Sequence, residues 1–278
     1  MNGATGGSTP LTSAFSRGGL PSFSSPPAVE VVVGVEFLPL PSLGPVKLVG
    51  LHSLWADRFP KLLEQQALPP TAPPTSGPQG FFQFQISLGA PALRLWMLNE
   101  SEDELLQIQN DRLVLNWRRT LGDDRTYPRY DYLREIYQGV YADFREQVAH
   151  LSVGTFRPHT AVVSYMNRFE LEADEQLKDA IAPLSQTWNL LSNATPEISI
   201  NVPVTSGDSP DALSGQLTAK ASTDPKDRKY GYLEVVTRIG VRDPGDDVFA
   251  CLDLAHWSCV DGFDRLTTDK MHQRWGKE

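Results

Sequence analysis

A chain of 278 residues, 40 % hydrophobic and 21 % charged, has a globular composition and enough length to bury a substantial core in one large domain or two ordinary ones. Its formal net charge of −9 works against extended contact with nucleic acid, so a nucleic-acid partner is not expected. No stretch approaches the roughly 20 consecutive apolar residues of a membrane helix, and the first residues lack the basic start and apolar core of a secretory signal; the expected location is the cytoplasm, with no membrane partner.

Residues 1–27 are dominated by Gly, Ser, Thr and Pro and are expected to form a disordered tail, with order beginning near Pro26 and Pro27. "AVEVVVGVEF" (28–37) then alternates as a strand with Val29, Val31, Val33, Val35 and Phe37 on one side, and Gly34 marks a bulge or a close approach. Residues 45–66 carry apolar side chains at helical intervals, which predicts a helix with a break or kink at Pro60. A Pro-rich loop (68–80) leads into three period-two segments, "FFQFQISL" (81–88), "ALRLWML" (92–98) and "LLQIQNDRLVLNWRR" (105–119). In the last of these the parity of Leu106 and Ile108 differs from that of Leu113 and Leu115, which requires a bulge or a tight turn at Asn110 and Asp111.

Residues 129–151 form an apolar and aromatic stripe through Tyr130, Leu133, Tyr137, Tyr141 and Phe144, the pattern of a helix packed on a sheet. The order then repeats: a strand at 159–171, a helix opening at 173–188, strands at 196–204, 214–222 and 230–241, and a closing helix over 246–275. The expected fold is α+β, with two successive β-α-β-β-β-α halves (28–155 and 156–278). Their antiparallel strands join in one sheet or two facing sheets, with helices on one side. The duplication is one of order and length, without residue-level self-similarity.

The stretches "LLQIQNDRLVLNWRR", "YPRYDYL" and the terminal "DLAHWSCVDGFDRLTTDKMHQRWG" give the sequence a resemblance to an uncharacterised family of sporadically distributed bacterial proteins. It runs from about residue 27 to the C-terminus, and the LQIQ-x-DR, NWR and YPRY elements are its most specific parts. The resemblance implies a bacterial, single-chain α+β protein and brings no catalytic residues with it. The architecture is also similar to duplicated β-α-β-β small-molecule-binding domains, whose cleft lies between two pseudo-symmetric halves; that similarity concerns fold alone.

The richest polar set is Gln107, Gln109, Arg112, Asn116, Trp117, Arg118 and Arg119, followed by Tyr127, Arg129 and Tyr130. Arginine forks bind carboxylate or phosphate, amides read donor and acceptor patterns, and aromatic rings stack on planar ligands. The same residue types also build a sheet surface with cross-strand pairs, and strand alternation already explains most of their positions. Asp123 and Asp124 read as a solvated turn, lacking the spaced oxygen ligands of a calcium loop. The acidic cluster Glu170, Glu172, Asp174 and Glu175 suits a helix start.

The five histidines show no metal-ligand spacing, and no metal or cofactor is expected. Cys251 and Cys259 fall eight positions apart on one expected helix, about 12 Å of rise, too far for a disulfide. His256 and Cys259, three positions apart, could serve as base and nucleophile, but no third group orients them, and a core cysteine is the expectation. No G-x-S-x-G, G-x-x-x-x-G-K-[ST] or G-x-G-x-x-G occurs, which removes the motif-based cases for a serine hydrolase, a P-loop NTPase or a common Rossmann enzyme.

The leading functional expectation is therefore a non-enzymatic binding or interaction module of the bacterial cytoplasm, a partner or regulator in a stress or defence system, engaging a protein partner or forming a homo-oligomer. The alternative is a small-molecule receptor or motif-free enzyme gripping an anionic ligand between the halves through Arg112, Arg118, Tyr127 and Arg129. A self-assembling structural protein is the second alternative.

Overall fold

The computed structural model describes residues 19–69, 93–119, 126–187, 197–209, 211–242 and 248–278. Strand alternation sets its centre. β1 (Ala28–Phe37) turns Val31, Val33, Val35 and Phe37 to one fully buried face. On one side it pairs with β5 (Arg112–Arg118), Val31 opposite Trp117 and Val35 opposite Leu113. On the other it pairs with β6 (Pro158–Glu170), Val31 opposite Tyr165 and Val33 opposite Val163. Beyond β5 lie β4 (Glu104–Gln109), β3 (Leu93–Leu98) and β2 (Lys61–Gln66); beyond β6 lie β9 (Tyr230–Gly240), β8 (Ser214–Thr223) and β7 (Ile198–Thr205). The result is one nine-stranded sheet in the order β2-β3-β4-β5-β1-β6-β9-β8-β7, with every neighbouring pair antiparallel.

Six helices complete the α+β fold among the described residues: α1 (Pro45–Leu51), α2 (Tyr130–Leu151), α3 (Leu177–Ala180), α4 (Ala182–Thr187), α5 (Val248–Leu266) and α6 (Asp269–Arg274). The expected aromatic row of α2 is packing: Leu133, Tyr137 and Phe144 are fully buried, and the Tyr137 hydroxyl donates to the Leu113 carbonyl at 3.0 Å. α5 buries Cys251, Leu252, Ala255 and Cys259 on the same face of the sheet, with Cys259 Sγ 3.4 Å from the Val163 carbonyl. α1 joins that layer through Trp55, just beyond its end, whose Nε1 donates to Asp143 of α2 at 3.0 Å.

Several expectations change. Pro60 does not kink a long helix but separates a short helical stretch, finished by Leu54, from strand β2, whose Leu62 and Leu63 pair opposite Met97 and Trp96. Parity changes across Gln109–Arg112 because Asn110 and Asp111 form the turn of the β4–β5 hairpin. The helix expected over 173–188 is two short ones: Pro183 has no N–H to offer the Asp179 carbonyl, which takes the Thr268 hydroxyl at 2.6 Å instead. The closing helix breaks at Thr267 and Thr268, where the Thr267 hydroxyl turns back to the Phe263 carbonyl at 2.7 Å. The strand expected at 81–88 lies outside the described residues.

Gly34 marks a close approach, since a Cβ there would meet the Leu113 carbonyl oxygen at 2.7 Å. The bulge falls instead at Val29: Ala28 faces Asn167 while Glu30 faces Met166, so β1 spends two residues where β6 spends one.

Order reaches further toward the N-terminus than composition implies. Phe23 is 5 % exposed and bridges to Lys277, and the Ser24 and Ser25 N–H groups donate to the carbonyls of Gly276 (2.9 Å) and Trp275 (3.0 Å). This strap depends on α6, and α6 is tied down by Glu175, whose side chain is 1 % exposed. Glu175 accepts from Arg274 at 2.6 and 3.0 Å, pairs with Lys270 and takes the Glu172 backbone N–H at 2.8 Å. The hydrogen bonds from Arg274, aided by Lys270, hold its carboxyl down at about 2.

A depressed carboxylate contributes stability that is complete above its unfolded value, near 4.5, and is lost as pH falls through about 2. Glu175→Gln is therefore expected to lower unfolding free energy at pH 7 by about 1–2 kcal/mol, with Arg274 and Lys270 partly exposed. Urea denaturation at a series of pH values should show the gap between wild type and variant closing below pH 4; a gap that stays constant would remove Glu175 as the tether.

Candidate functional site

Where the N-terminal ends of β1 and α2 meet the C-terminal part of β6 and the middle of α5, the two helices leave a cavity of about 440 Å³. It therefore draws on the chain before residue 155 and the chain after it. The strap residues Leu20–Phe23 and Pro26 form one wall, with Phe263 behind them. Phe23 and Phe263 meet edge to face at 5.3 Å. The inner wall is polar: Tyr127, Tyr165 and Asn167 are all at most 8 % exposed, and His256 is partly buried beside them. Arg129 and Asp131, both exposed, stand at the mouth.

Three of these side chains form a continuous hydrogen-bonded chain. The Tyr127 and Tyr165 hydroxyls are 3.0 Å apart, and the Tyr165 hydroxyl is 2.9 Å from His256 Nδ1. The Tyr130 ring stacks flat on His256, with centroids 3.9 Å apart and planes 5° from parallel. Tyr130 in turn donates to Asp253 at 3.0 Å, and Arg134 clamps the same carboxylate at 2.7 and 3.1 Å. Trp117 supports the chain from below, its ring 5.3 Å from that of Tyr127.

The turn into α2 is strained. Arg129 precedes the first helical residue with φ +77° and ψ 160°, a conformation that costs a side-chain-bearing residue about 1–3 kcal/mol. Its guanidinium donates to the Phe23 carbonyl at 2.9 Å, which ties the strap to the cavity mouth.

Burial governs the protonation of the whole group. It holds the phenols of Tyr127, Tyr130 and Tyr165 above their ordinary value and pushes the Cys259 thiol up to about 12. It also lowers His256 to about 4, with Asp253 opposing weakly. All five groups are therefore neutral near pH 7. Cys259 points its sulfur to the sheet, 3.3 Å from Thr237 Oγ1, and is a core thiol. Among the described residues no group of three or more His, Cys, Asp or Glu side chains is placed to hold a metal ion.

The polar residues singled out in the sequence divide between two faces. Tyr127, Arg129 and Tyr130 line the cavity, and Trp117 lies under it on the helix side. Gln107, Gln109, Arg112, Asn116 and Arg118 lie on the opposite face, where no helix packs among the described residues, so Arg112 and Arg118 do not converge with Tyr127 and Arg129.

There the amides are engaged with their neighbours. Gln107 accepts from Arg94 (3.1 Å) and Trp96 (2.9 Å) and donates to Asn116 (2.7 Å), which donates to Glu30 (2.6 Å). Gln109 makes two bonds to the Leu68 backbone, and Arg112 holds Asp111 and the Pro69 carbonyl. Arg118 donates to the Glu102 carbonyl, and Arg119 donates its backbone N–H to Val29 while its side chain is exposed. Asp123 and Asp124 lie outside the described residues.

Sequence reading missed Tyr165 and Asn167, and weighed His256 only as a base for Cys259. Their signal was a polar or amphipathic residue at a core-facing position: Tyr165 and Asn167 share parity with Val163 in β6, and His256 lies between Leu252 and Cys259 on the buried stripe of α5.

A histidine depressed in the native state takes up its proton more readily when unfolded. His256 therefore contributes stability that is complete above about pH 6.5 and is lost as pH falls toward 4. Proton NMR of the histidine ring should give His256 a midpoint near 4, and His256→Gln should flatten the stability curve between pH 4 and 6.5. A midpoint at the ordinary value would mean that the ring is open to bulk water.

No protein-family model and no curated protein matches the chain.

Proposed function

We propose that the protein is a non-enzymatic binding module whose ligand is a small molecule held in the cavity between two related halves. The observation that carries this reading is a cavity with an apolar wall and an inner set of convergent polar groups, the composition of small-molecule sites. Its size falls within the usual range of about 300–1,000 Å³. Strand order supports the reading of two halves. In each half the first strand lies at the β1–β6 seam, the last lies next to it, the others follow outward, and a long helix comes after the last strand.

Binding is favoured over chemistry because general acids and bases work best with pKa values near the operating pH. The groups at this cavity are displaced from neutrality in the direction that keeps them uncharged. The opposite face of the sheet is the less favoured recognition surface, since the side chains of Gln107, Gln109 and Asn116 are spent on cross-strand and loop bonds.

Val260, partly exposed on the α5 wall, allows the cavity to be filled without touching the polar chain. Native mass spectrometry of protein purified from its host should find a small molecule on the wild type and none on Val260→Trp, with melting temperatures within a few degrees of each other. Equal retention by both, or co-purification of a stoichiometric protein in place of a small molecule, would argue against the cavity as the site.

A further inference from the structure

We infer that the ligand is an aryl carboxylate, its carboxylate accepting a hydrogen bond from the Tyr127 hydroxyl within reach of Arg129 and its ring lying against the Phe23 and Phe263 wall. This inference rests on the small-molecule reading above and names the chemical class that the cavity takes.

The first support is a count of hydrogens. The Tyr165 hydroxyl has one proton and two polar neighbours, Tyr127 at 3.0 Å and His256 Nδ1 at 2.9 Å, so it donates to one and accepts from the other. If Tyr165 donates to His256, then Tyr127 donates to Tyr165 and its proton is spent. If His256 carries its proton on Nδ1 and donates to Tyr165, then Tyr165 donates to Tyr127 and the Tyr127 O–H is free. The cavity thus holds a donor that is released whenever an acceptor is present at Tyr127, and the imidazole tautomer records which arrangement prevails.

The second support is charge. Of the two charged residues at the mouth, the Arg129 guanidinium acts on the Tyr127 oxygen more strongly than the Asp131 carboxylate does, although burial dominates there. Arg129 is exposed, and among the described residues its guanidinium is bonded to the Phe23 carbonyl alone, which leaves the rest of its fork for a carboxylate. The third support is shape. Phe23, Phe263, Tyr127 and Tyr165 offer ring faces and edges, and Pro21 and Pro26 close the strap side without backbone donors.

The probes are benzoate and its neutral isostere benzamide, titrated into isotope-labelled full-length protein and followed by NMR. Benzoate is expected to shift the resonances of cavity residues and to bind about tenfold more tightly than benzamide, as a charge-assisted hydrogen bond does. At saturating benzoate His256 should be in the form protonated on Nδ1, seen in its ring nitrogen shifts. Arg129→Gln should erase the preference for benzoate over benzamide. Tyr127→Phe should weaken benzoate binding to a similar degree.

Equal binding of the two probes by the wild type, an unchanged preference in Arg129→Gln, or a His256 ring protonated on Nε2 at saturating benzoate would each overturn the carboxylate assignment. Benzamide binding without benzoate binding would overturn it while leaving the small-molecule reading intact. If neither probe moves a cavity resonance, the assignment falls; if Val260→Trp also leaves the host's co-purified small molecule in place, the cavity reading falls with it.

Discussion

The pairing of β1 with β6 is the constraint on which the rest of the molecule depends. It makes one sheet of two strand sets that follow one another in sequence. α2 follows β5 and α5 follows β9, and β5 and β9 are the strands that flank the seam. Both helices must therefore cover the same face on either side of it, which brings Tyr130 onto His256 at 3.9 Å. The cavity is a consequence. Beyond the stacked pair the helices separate, and the Val29 bulge shifts β1 by one residue beside Asn167. The strap at residues 20–26 covers the opening, held by the last residues of the chain.

Much of this was legible in the sequence because period-two and period-3.6 patterns report burial directly. The 28–37 strand, the 105–119 hairpin and the two long helices follow from which positions are apolar. Pro60 was harder to place, since Leu62 and Leu63 fit either pattern and their pairing with β3 decides between them. The breaks at Ile181 and Thr267 depend on each other, because those two residues form a bridge and Thr268 takes the carbonyls of Asp179 and Ala180. No local pattern encodes such an exchange.

The candidate site was half legible. Tyr127, Arg129 and Tyr130 stand together in "YPRY", and their density of aromatic and basic character drew attention. Their partners come from residues 165 and 256, across the seam, and only tertiary pairing brings them close. The grouping with Gln107, Asn116 and Arg118 failed for a geometric reason. Trp117 lies between Asn116 and Arg118 on a strand, so adjacent residues serve opposite faces of the sheet. The polar face and the cavity are neighbours in sequence and are separated in space by the thickness of the sheet.

What distinguishes the two polar regions is the freedom of their hydrogen bonds to reverse direction rather than polarity. On the face opposite the cavity Gln107 receives two donors and gives one, Asn116 passes its amide proton to Glu30, and the ladder ends on a carboxylate that accepts it. Such a network fixes strand register. In the cavity the chain from Tyr127 to His256 can run in either direction, and in one of them the Tyr127 O–H is left as a surplus donor. Burial makes ionisation costly for each member, so the surplus donor cannot be removed by loss of a proton near neutral pH. A buried donor is satisfied by an acceptor that enters from outside, and in this cavity the approach to it passes the charge of Arg129.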